Sequence, residues 1–475
     1  MKSISIVLYW LSLAMLIVGC HPMQSTQQPV TGPMPETYRL QTDTVNAADI
    51  QWREYFSDTL LVSLIDEALH RNYDAQIALQ RIEQAAAESL FRKGLLMPKV
   101  DGMATSAVRR YGLYTMDGAG NSTTDILPGQ VVPTNLPDYL VGFQASWEVD
   151  VAGKLRNRKK AAMARYLASI EGKNWLYTNL IAQVAYAYYD LLALDQELEI
   201  IRSTVAIQQN ALEVVTMQMQ AGLANDLAVK QFQAQLLNTR NLEKEIRQLI
   251  IVTESIINGL LGRYPQPVLR AASSFDGNNI EQLQAGLPAD LIQNRPDIRQ
   301  AEMEVQAAKA DLAAAKAAFY PSLNVIGSVG YQAFQTNLLF TTPESFIFTL
   351  IGNLSAPFIN RSAIKSEFKA ANAYQVEALL NYQKSLMNAF LEVFVEINNL
   401  QNLNEMVDQK TQEATILTES ISTSNELFKT GRANYIELLI TQQNALNARL
   451  DLIDLKRRTF NGRVNLYKVL GGGWN

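Results

Sequence analysis

The chain is written twice, and this duplication constrains its fold more than any other feature. Ala161-Ala162 in RKKAAMARY recur as Ala370-Ala371 in FKAANAYQ, and Ala221-Gly222-Leu223-Ala224 recur as Thr430-Gly431-Arg432-Ala433. Phe232 to Arg240 recur as Thr441 to Arg449, and all three blocks share an offset of 209 residues. Earlier in each half the offset is 223, pairing Asp74 with Asp297, Ala78 with Ala301 and Pro98 with Pro321. The difference, 223 − 209, gives the first half about 14 extra residues in the Gly-, Asn-, Thr- and Pro-rich stretch Arg110 to Pro137, which reads as a long hairpin loop. A unit of about 210 residues is too long for a solenoid repeat, so the chain carries a duplicated subdomain.

Each half reads helix, β-hairpin, very long helix, turn, helix. The first helix is expected from about Ser57 to Met97 and its copy from about Pro288 to Tyr320, each ending at a proline. The second-half strands alternate: Leu323, Val325, Val329 and Tyr331 against Asn324, Ser328 and Gly330, then Phe346, Phe348, Leu350 and Leu354 against Thr349, Asn353 and Ser355. Such period-2 alternation suits strands with lipid on one face and a polar lumen on the other, although Ile326, Ile347 and Ile351 break it. The first-half strands, Val100 to Tyr111 and Tyr139 to Val149, alternate more weakly.

Two segments, Lys154 to Gln220 and Ala363 to Lys429, contain no proline and a single glycine, Gly172. At 1.5 Å per residue each predicts a helix roughly 100 Å long. Val184, Tyr188, Leu191, Leu198, Ile201, Val205, Leu212, Val215 and Met219 recur with a period near 3.5, the seam of a coiled coil. By itself this fits an ordinary spacer as well as the wall of a duct. Paired long helices joined to paired strands, twice, favour a duct crossing both a membrane and the space beneath it. Four strands cannot close a barrel with a lumen, which needs about eight, so the chain has to oligomerise.

The N-terminus carries Lys2, an apolar run from Ile4 to Val18, then Gly19-Cys20, the pattern of an export signal. Its cysteine resembles the lipidated cysteine of a bacterial lipobox, and His21 stands where an Asp would favour inner-membrane retention. Gln24 to Gln41, rich in Gln, Pro and Thr, reads as a tether. Beyond the signal no run of eighteen apolar residues occurs, so any membrane crossing has to be a closed β-barrel. The parts expected are a signal at 1–19, a lipidated tether at 20–56, a first repeat at 57–265, a linker at 266–287, a second repeat at 288–470 and a tail at 471–475.

Composition narrows the function classes. A net charge of -5 lacks the basic footprint of a nucleic-acid binder. Two histidines, His21 and His70, and one cysteine leave no Ser-His-Asp, Cys-His or Cys/His zinc constellation. No cofactor or metal site is expected, and an enzyme would need a carboxylate-only site for which there is no candidate. Gly471-Gly472-Gly473 has no helix after it, so it is no phosphate loop and reads as a loose tail.

Six blocks in order then resemble one family: WREYFSDTLLVSLIDEAL, SWEVDVAGKLRN, NRPDIRQAE, FYPSLNVIGSVG, APFINRSAIKSEFKAA and LYKVLGGGWN. They are similar to the outer-membrane efflux proteins of the TolC-like superfamily, in its lipoprotein branch, over nearly the whole chain from Cys20 onward. The resemblance implies a mainly α fold with a membrane β-barrel: a homotrimer whose twelve strands form the barrel and whose long helices form an α-helical barrel below it. It also implies a passive duct in a tripartite, RND-type efflux system, with a periplasmic adaptor and an inner-membrane transporter as partners and outer-membrane lipid around it.

Gly222, Leu223 and Ala224, with Gly431, Arg432 and Ala433, are expected at the helix-to-helix turns that such an adaptor contacts, the glycines supplying positive φ. Asp226 and Glu437 follow these turns, where the resemblance implies acidic rings that narrow the pore. Helix N-termini favour acids in any case. Trp147 reads either as an interfacial anchor or as core at the barrel rim. Two rivals stay open, a type I secretion duct and a lipid-anchored coiled-coil tether without a pore. Thirteen methionines without a cluster and two histidines give no sign of a metal-specific duct.

Overall fold

The structure is a computed structural model describing residues 35, 37–38, 46–271, 275, 286–357 and 361–474. The export signal, Cys20 and most of the expected tether and linker lie outside the described residues.

The first helix of each half is broken, and both breaks fall at the same place in the duplication. In the first half Asp58 caps α1 (Thr59–Arg71), and α2 follows as Tyr73–Gly94. Asn72, between them, is extended (φ -58, ψ 131), and its Oδ1 accepts from Ala75 N at 3.1 Å to start α2. In the second half, 223 residues on, Arg295 is extended before Pro296, which opens α3 (Pro296–Ala317). The single helices expected over Ser57–Met97 and Pro288–Tyr320 are therefore each interrupted by a one-residue hinge, preceded in the second half by a 3-10 turn (Pro288–Asp290) and one α-helical turn (Leu291–Asn294).

Four strands follow the hinged helices: β1 (Lys99–Arg109), β2 (Leu136–Val149), β3 (Ser322–Ala333) and β4 (Phe346–Ser355). They form one antiparallel sheet in the order β1-β2-β3-β4, so the second half's hairpin continues the first half's. The loop at Arg110 to Pro137 is more ordered than its composition predicts. It holds a short helix, Met116–Asn121, capped by Thr115, and a small hairpin of Asp125–Leu127 with Gln130–Val131.

Two very long helices complete the halves, α4 (Lys154–Gln220) and α6 (Ser362–Lys429), each turning into a 35-residue return helix, α5 (Asp226–Leu260) and α7 (Tyr435–Val469). The seam read from the sequence packs as expected, with Val184, Tyr188, Leu191, Ile201 and Val215 fully buried. Among the described residues no helix is long and apolar enough to cross a membrane.

The chain divides into two compact units, and neither is one of the repeats. One holds the sheet with residues 84–166 and 303–379; the other is helical, with residues 46–83, 167–302 and 380–474 among those described. Each repeat contributes to both units, so the compact units do not coincide with the repeats read at 57–265 and 288–470.

Within the helical unit, the end of each repeat docks on its own hinge. Asn72 Nδ2 donates to Leu260 O at 2.9 Å, and Arg295 donates to Val469 O at 3.0 Å, the carbonyl 209 residues further on. Gly262 (φ +65) and Gly471 (φ +96) follow, where an added Cβ would lie 2.6 Å from Arg71 O and 2.5 Å from Asn294 O. The C-terminal glycines are thus not a loose tail. Gly471 and Gly472 are buried, and Trp474 Nε1 donates to Asn294 O at 2.9 Å. The end of the span expected as tether is packed, since Trp52, Tyr55 and Phe56 are core residues and Tyr55 stacks on Tyr467 at 4.1 Å.

Candidate functional site

The register of the sheet sorts its side chains onto two unlike faces. Val141 pairs with Tyr331, Phe143 with Val329 and Trp147 with Val325, while Val329 pairs with Phe348 and Leu323 with Leu354. On β1 the same face takes Val100, Gly102, Ala104, Ser106 and Val108, opposite Ala145, Phe143, Val141, Tyr139 and Pro137. Val100, Val108, Val141, Phe143, Val329, Phe348, Leu350 and Leu354 are all exposed, so this apolar wall is left uncovered among the described residues. The opposite face carries Asp101, Thr105, Arg109, Asp138, Gln144, Glu148, Asn324, Ser328, Gln332, Thr349 and Asn353, with Arg109 and Asp138 paired at 2.9 Å. Ile326 and Ile351, which break the alternation, pair with each other on that polar face.

Such a sheet suits hydrocarbon on one side and water on the other. Aromatic residues gather toward one end of the apolar face, where Tyr331 meets Phe340 and Phe346 edge-on at 5.7 and 5.8 Å. That cluster was not singled out in the sequence, although aromatic girdles mark membrane interfaces. Trp147 lies on the apolar face and donates from Nε1 to Leu96 O at 3.0 Å, so its polar end is satisfied within the chain. The outer edges of β1 and β4 pair with no other strand among the described residues.

The helical unit presents the two turns, which are built alike. Gly222 has φ +74 and Gly431 φ +71, with nothing near enough to hinder a Cβ, so the glycines answer to backbone angle alone. Gly222 N donates to Met219 O at 3.0 Å and Leu223 N to Gln218 O at 2.8 Å. Gly431 N to Phe428 O and Arg432 N to Leu427 O repeat the pattern at 3.1 and 2.8 Å, the double hydrogen bond of a Schellman end. Asn225 and Asn434, missed in the sequence reading, then cap the return helices through their side chains. Val215, Phe232, Phe428 and Leu438 share one small core beside both turns, so the structure brings the two together at one end of the helical unit.

The two turns differ in what they display. At matching positions stand Leu223, 80% exposed, and Arg432. Ala224 and Ala433 match as well, ahead of the capping asparagines. The acids do not match. Asp226 occupies the first position of α5 and pairs with Lys230 at 2.7 Å, whereas Glu437 occupies the third position of α7 and accepts from Asn434 N at 3.1 Å. Glu437 and Asn434 form a reciprocal capping box. Among the described residues no group of acidic, histidine or cysteine side chains is arranged to hold a metal.

Comparison with known proteins bears directly on this geometry. The outer membrane efflux protein family matches residues 64–263 and 287–472, most of the chain. The chain belongs to that family. The cation efflux system protein CusC of Escherichia coli O6:H1 is 27% identical over 467 residues, 97% of each chain. The probable outer membrane lipoprotein SilC of Salmonella typhimurium is 25% identical over 471 residues, 98% of each. The open state of the Neisseria gonorrhoeae MtrE outer membrane channel superposes with a TM-score of 0.83 at 22% identity, covering 96% of this chain and 98% of that one. The fold is therefore TolC-like, and the protein is an outer-membrane component of efflux whose relatives are channels.

Proposed function

We propose that three copies of this chain close into a passive exit duct, anchored in the outer membrane by lipid on Cys20 and coupled to a periplasmic adaptor and an RND-type transporter of the inner membrane. The observation that carries this reading is the sheet: one exposed apolar face, one polar face and, among the described residues, four strands with two unpaired edges. Unpaired strand edges cannot face hydrocarbon, so a membrane location demands partners for both. Three copies supply twelve strands, enough for a lumen lined by the polar face.

In this reading the turns at Gly222–Ala224 and Gly431–Ala433 receive the adaptor, and Asp226 and Glu437 narrow the lower pore with negative charge. No chemical step is assigned to the protein, and transport energy comes from the inner-membrane partner. The apolar turn at Leu223 and the cationic turn at Arg432 offer two unlike contacts in each copy.

Conductance tests the duct directly. The purified protein is expected to migrate as a trimer and to pass ions across a planar bilayer once the lower turns are altered. A trimer that stays silent in every turn variant would point instead to a pore-less tether. Anchoring has its own test, since Cys20→Ser is expected to abolish labelling by radioactive palmitate and to weaken outer-membrane retention. Label that persists in this variant refutes the lipid anchor.

A further inference from the structure

The duplication predicts more than the presence of a neighbour: it predicts how the neighbour's strand lies. Within the chain, the two hairpins keep one register. Adding 223 to Lys99 of β1 and 209 to its partner Ser146 of β2 gives Ser322 and Ser355, which are partners in β3 and β4. The same displacements carry Arg109–Leu136 to Gln332–Ser345, which continues the β3–β4 ladder just beyond its last pair, where Gln332 N donates to Ser345 O at 2.8 Å. The offsets read from helix and turn sequences thus govern strand pairing too.

One junction within the chain joins the return strand of one repeat to the opening strand of the next, β2 to β3, with Val141 opposite Tyr331 and Ala145 opposite Gly327. Its counterpart is the junction from β4 to β1 of the following copy. Applying the same displacements, Val141 becomes Leu350 (141 + 209) and Tyr331 becomes Val108 (331 − 223). We infer that β4 of one protomer pairs antiparallel with β1 of a second copy in this register: Leu350 opposite Val108, Gly352 opposite Ser106 and Leu354 opposite Ala104. This rests on the trimeric reading above and adds the residue-level geometry of its seam.

Three observations support the transferred register. It keeps the faces in phase, since Leu350, Gly352 and Leu354 lie on the apolar face of β4, and Val108, Ser106 and Ala104 on the apolar face of β1. A slip of one residue would turn β1's polar row toward lipid. The polar sides also meet, with Thr349 opposite Arg109 and Asn353 opposite Thr105. At the loop end, Phe346 of one copy falls opposite Gly112 of the next, beside a turn that displays Leu113, Tyr114 and Met116 to the outside. That turn is held by Thr115 N donating to Gly112 O at 2.9 Å and by Gly118 seated against the Gly112 carbonyl. The seam between copies thereby gains apolar contacts beyond its last strand pair.

The two junctions differ at one pair. Within the chain, Gly142 faces Gly330, and an added Cβ would lie 2.4 Å from Val329 O at the first and 2.4 Å from Val141 O at the second, so the strands approach closely only because both are glycine. Between copies the corresponding pair is Ile351 with Ala107, so the close approach of β2 and β3 is not repeated there.

Paired cysteines read the register. Directly opposed residues bring Cβ atoms about 4.5–5.5 Å apart, whereas a two-residue slip leaves them about 7–8 Å apart, beyond disulfide reach. Within one protomer β1 and β4 are separated by three strand spacings, about 14 Å, so any bridge between them joins two copies. Under mild oxidation Val108→Cys with Leu350→Cys is expected to give covalently linked trimers on denaturing gels. Val108→Cys with Phe348→Cys, or with Gly352→Cys, is expected to give at least about tenfold less linked product, as are the single variants. Predominant linking through a slipped pair would overturn the register, as would no linking by any pair in a protein that runs as a trimer on native gels. A protein that runs as a monomer on native gels would instead sink the trimeric reading, and the register with it.

Discussion

The hinges at Asn72 and Arg295 occupy one position in the two repeats and do one structural job with unlike chemistry. Each donates to the carbonyl that ends its repeat's last helix, Leu260 O in the first half and Val469 O in the second. Asn72 does so with a neutral amide while its oxygen starts the next helix. Arg295, only 2% exposed, also grips Asp297 through two hydrogen bonds of 3.0 and 2.7 Å, reaches Glu392 at 2.8 Å and lies over Trp175 at 5.2 Å. The backbone path is shared, but the second hinge gathers α3, α6 and the chain's end onto one buried guanidinium. Burial there disfavours the charge, while its carboxylate partners restore it and hold the guanidinium above its usual pKa.

The largest expected effect follows from that difference. Arg295→Ala strips the fork from Asp297 and the donor from Val469 O, and a broken buried pair costs about 3–5 kcal/mol. Partial exposure of Glu392 puts this site at the lower end, about 3 kcal/mol. Asn72→Ala loses a neutral donor and a cap, about 1–2 kcal/mol. Thermal unfolding in detergent, followed by circular dichroism, should show a clearly larger fall in midpoint for Arg295→Ala. Equal shifts would mean that the guanidinium is only a spacer. Arg295→Lys should recover little, because an ammonium cannot bridge both Asp297 oxygens.

The glycines that follow narrow the contrast. Gly262→Ala and Gly471→Ala each force a left-handed residue and a Cβ against a hinge carbonyl, and each should destabilise by about 2 kcal/mol. If the hinges share a backbone mechanism, the two shifts agree in the same unfolding measurement. A marked inequality would locate the difference in the backbone and not in Asn72 and Arg295.

How much of this is legible in the sequence depends on whether the cause is local. The long helices announce themselves through missing proline and glycine, and the β3–β4 hairpin through its alternation. The Arg295 hinge is visible because Pro296 follows it. The Asn72 hinge is not, since α1 and α2 together read as one helical pattern and the break is fixed by Leu260 and Gly262, some 190 residues away. The C-terminal glycines mislead for the same reason: composition suggests looseness, whereas Gly471 is small because the Asn294 carbonyl leaves no room. The turn glycines at 222 and 431 are legible because they answer only to φ. In the proposed duct the partner of each turn is another molecule, which no contact among the described residues reports.

The smallest expected change in stability, and the one that best separates two roles, concerns the acids after those turns. Glu437 closes a capping box with Asn434, and a glutamine at this third helical position can accept the same hydrogen bond. Glu437→Gln should therefore leave the unfolding midpoint within experimental scatter. If its carboxylate also contributes to a ring around the pore, removing three charges should reduce cation preference, read as a shift of the reversal potential under a salt gradient. Asp226→Asn lies at a different helical position and breaks a pair with Lys230, so its effect on selectivity need not match. A reversal potential unchanged in Glu437→Gln would leave that residue a helix cap and nothing more. A shift without loss of stability would assign it both roles, with the repeat's first acid compared in the same bilayers.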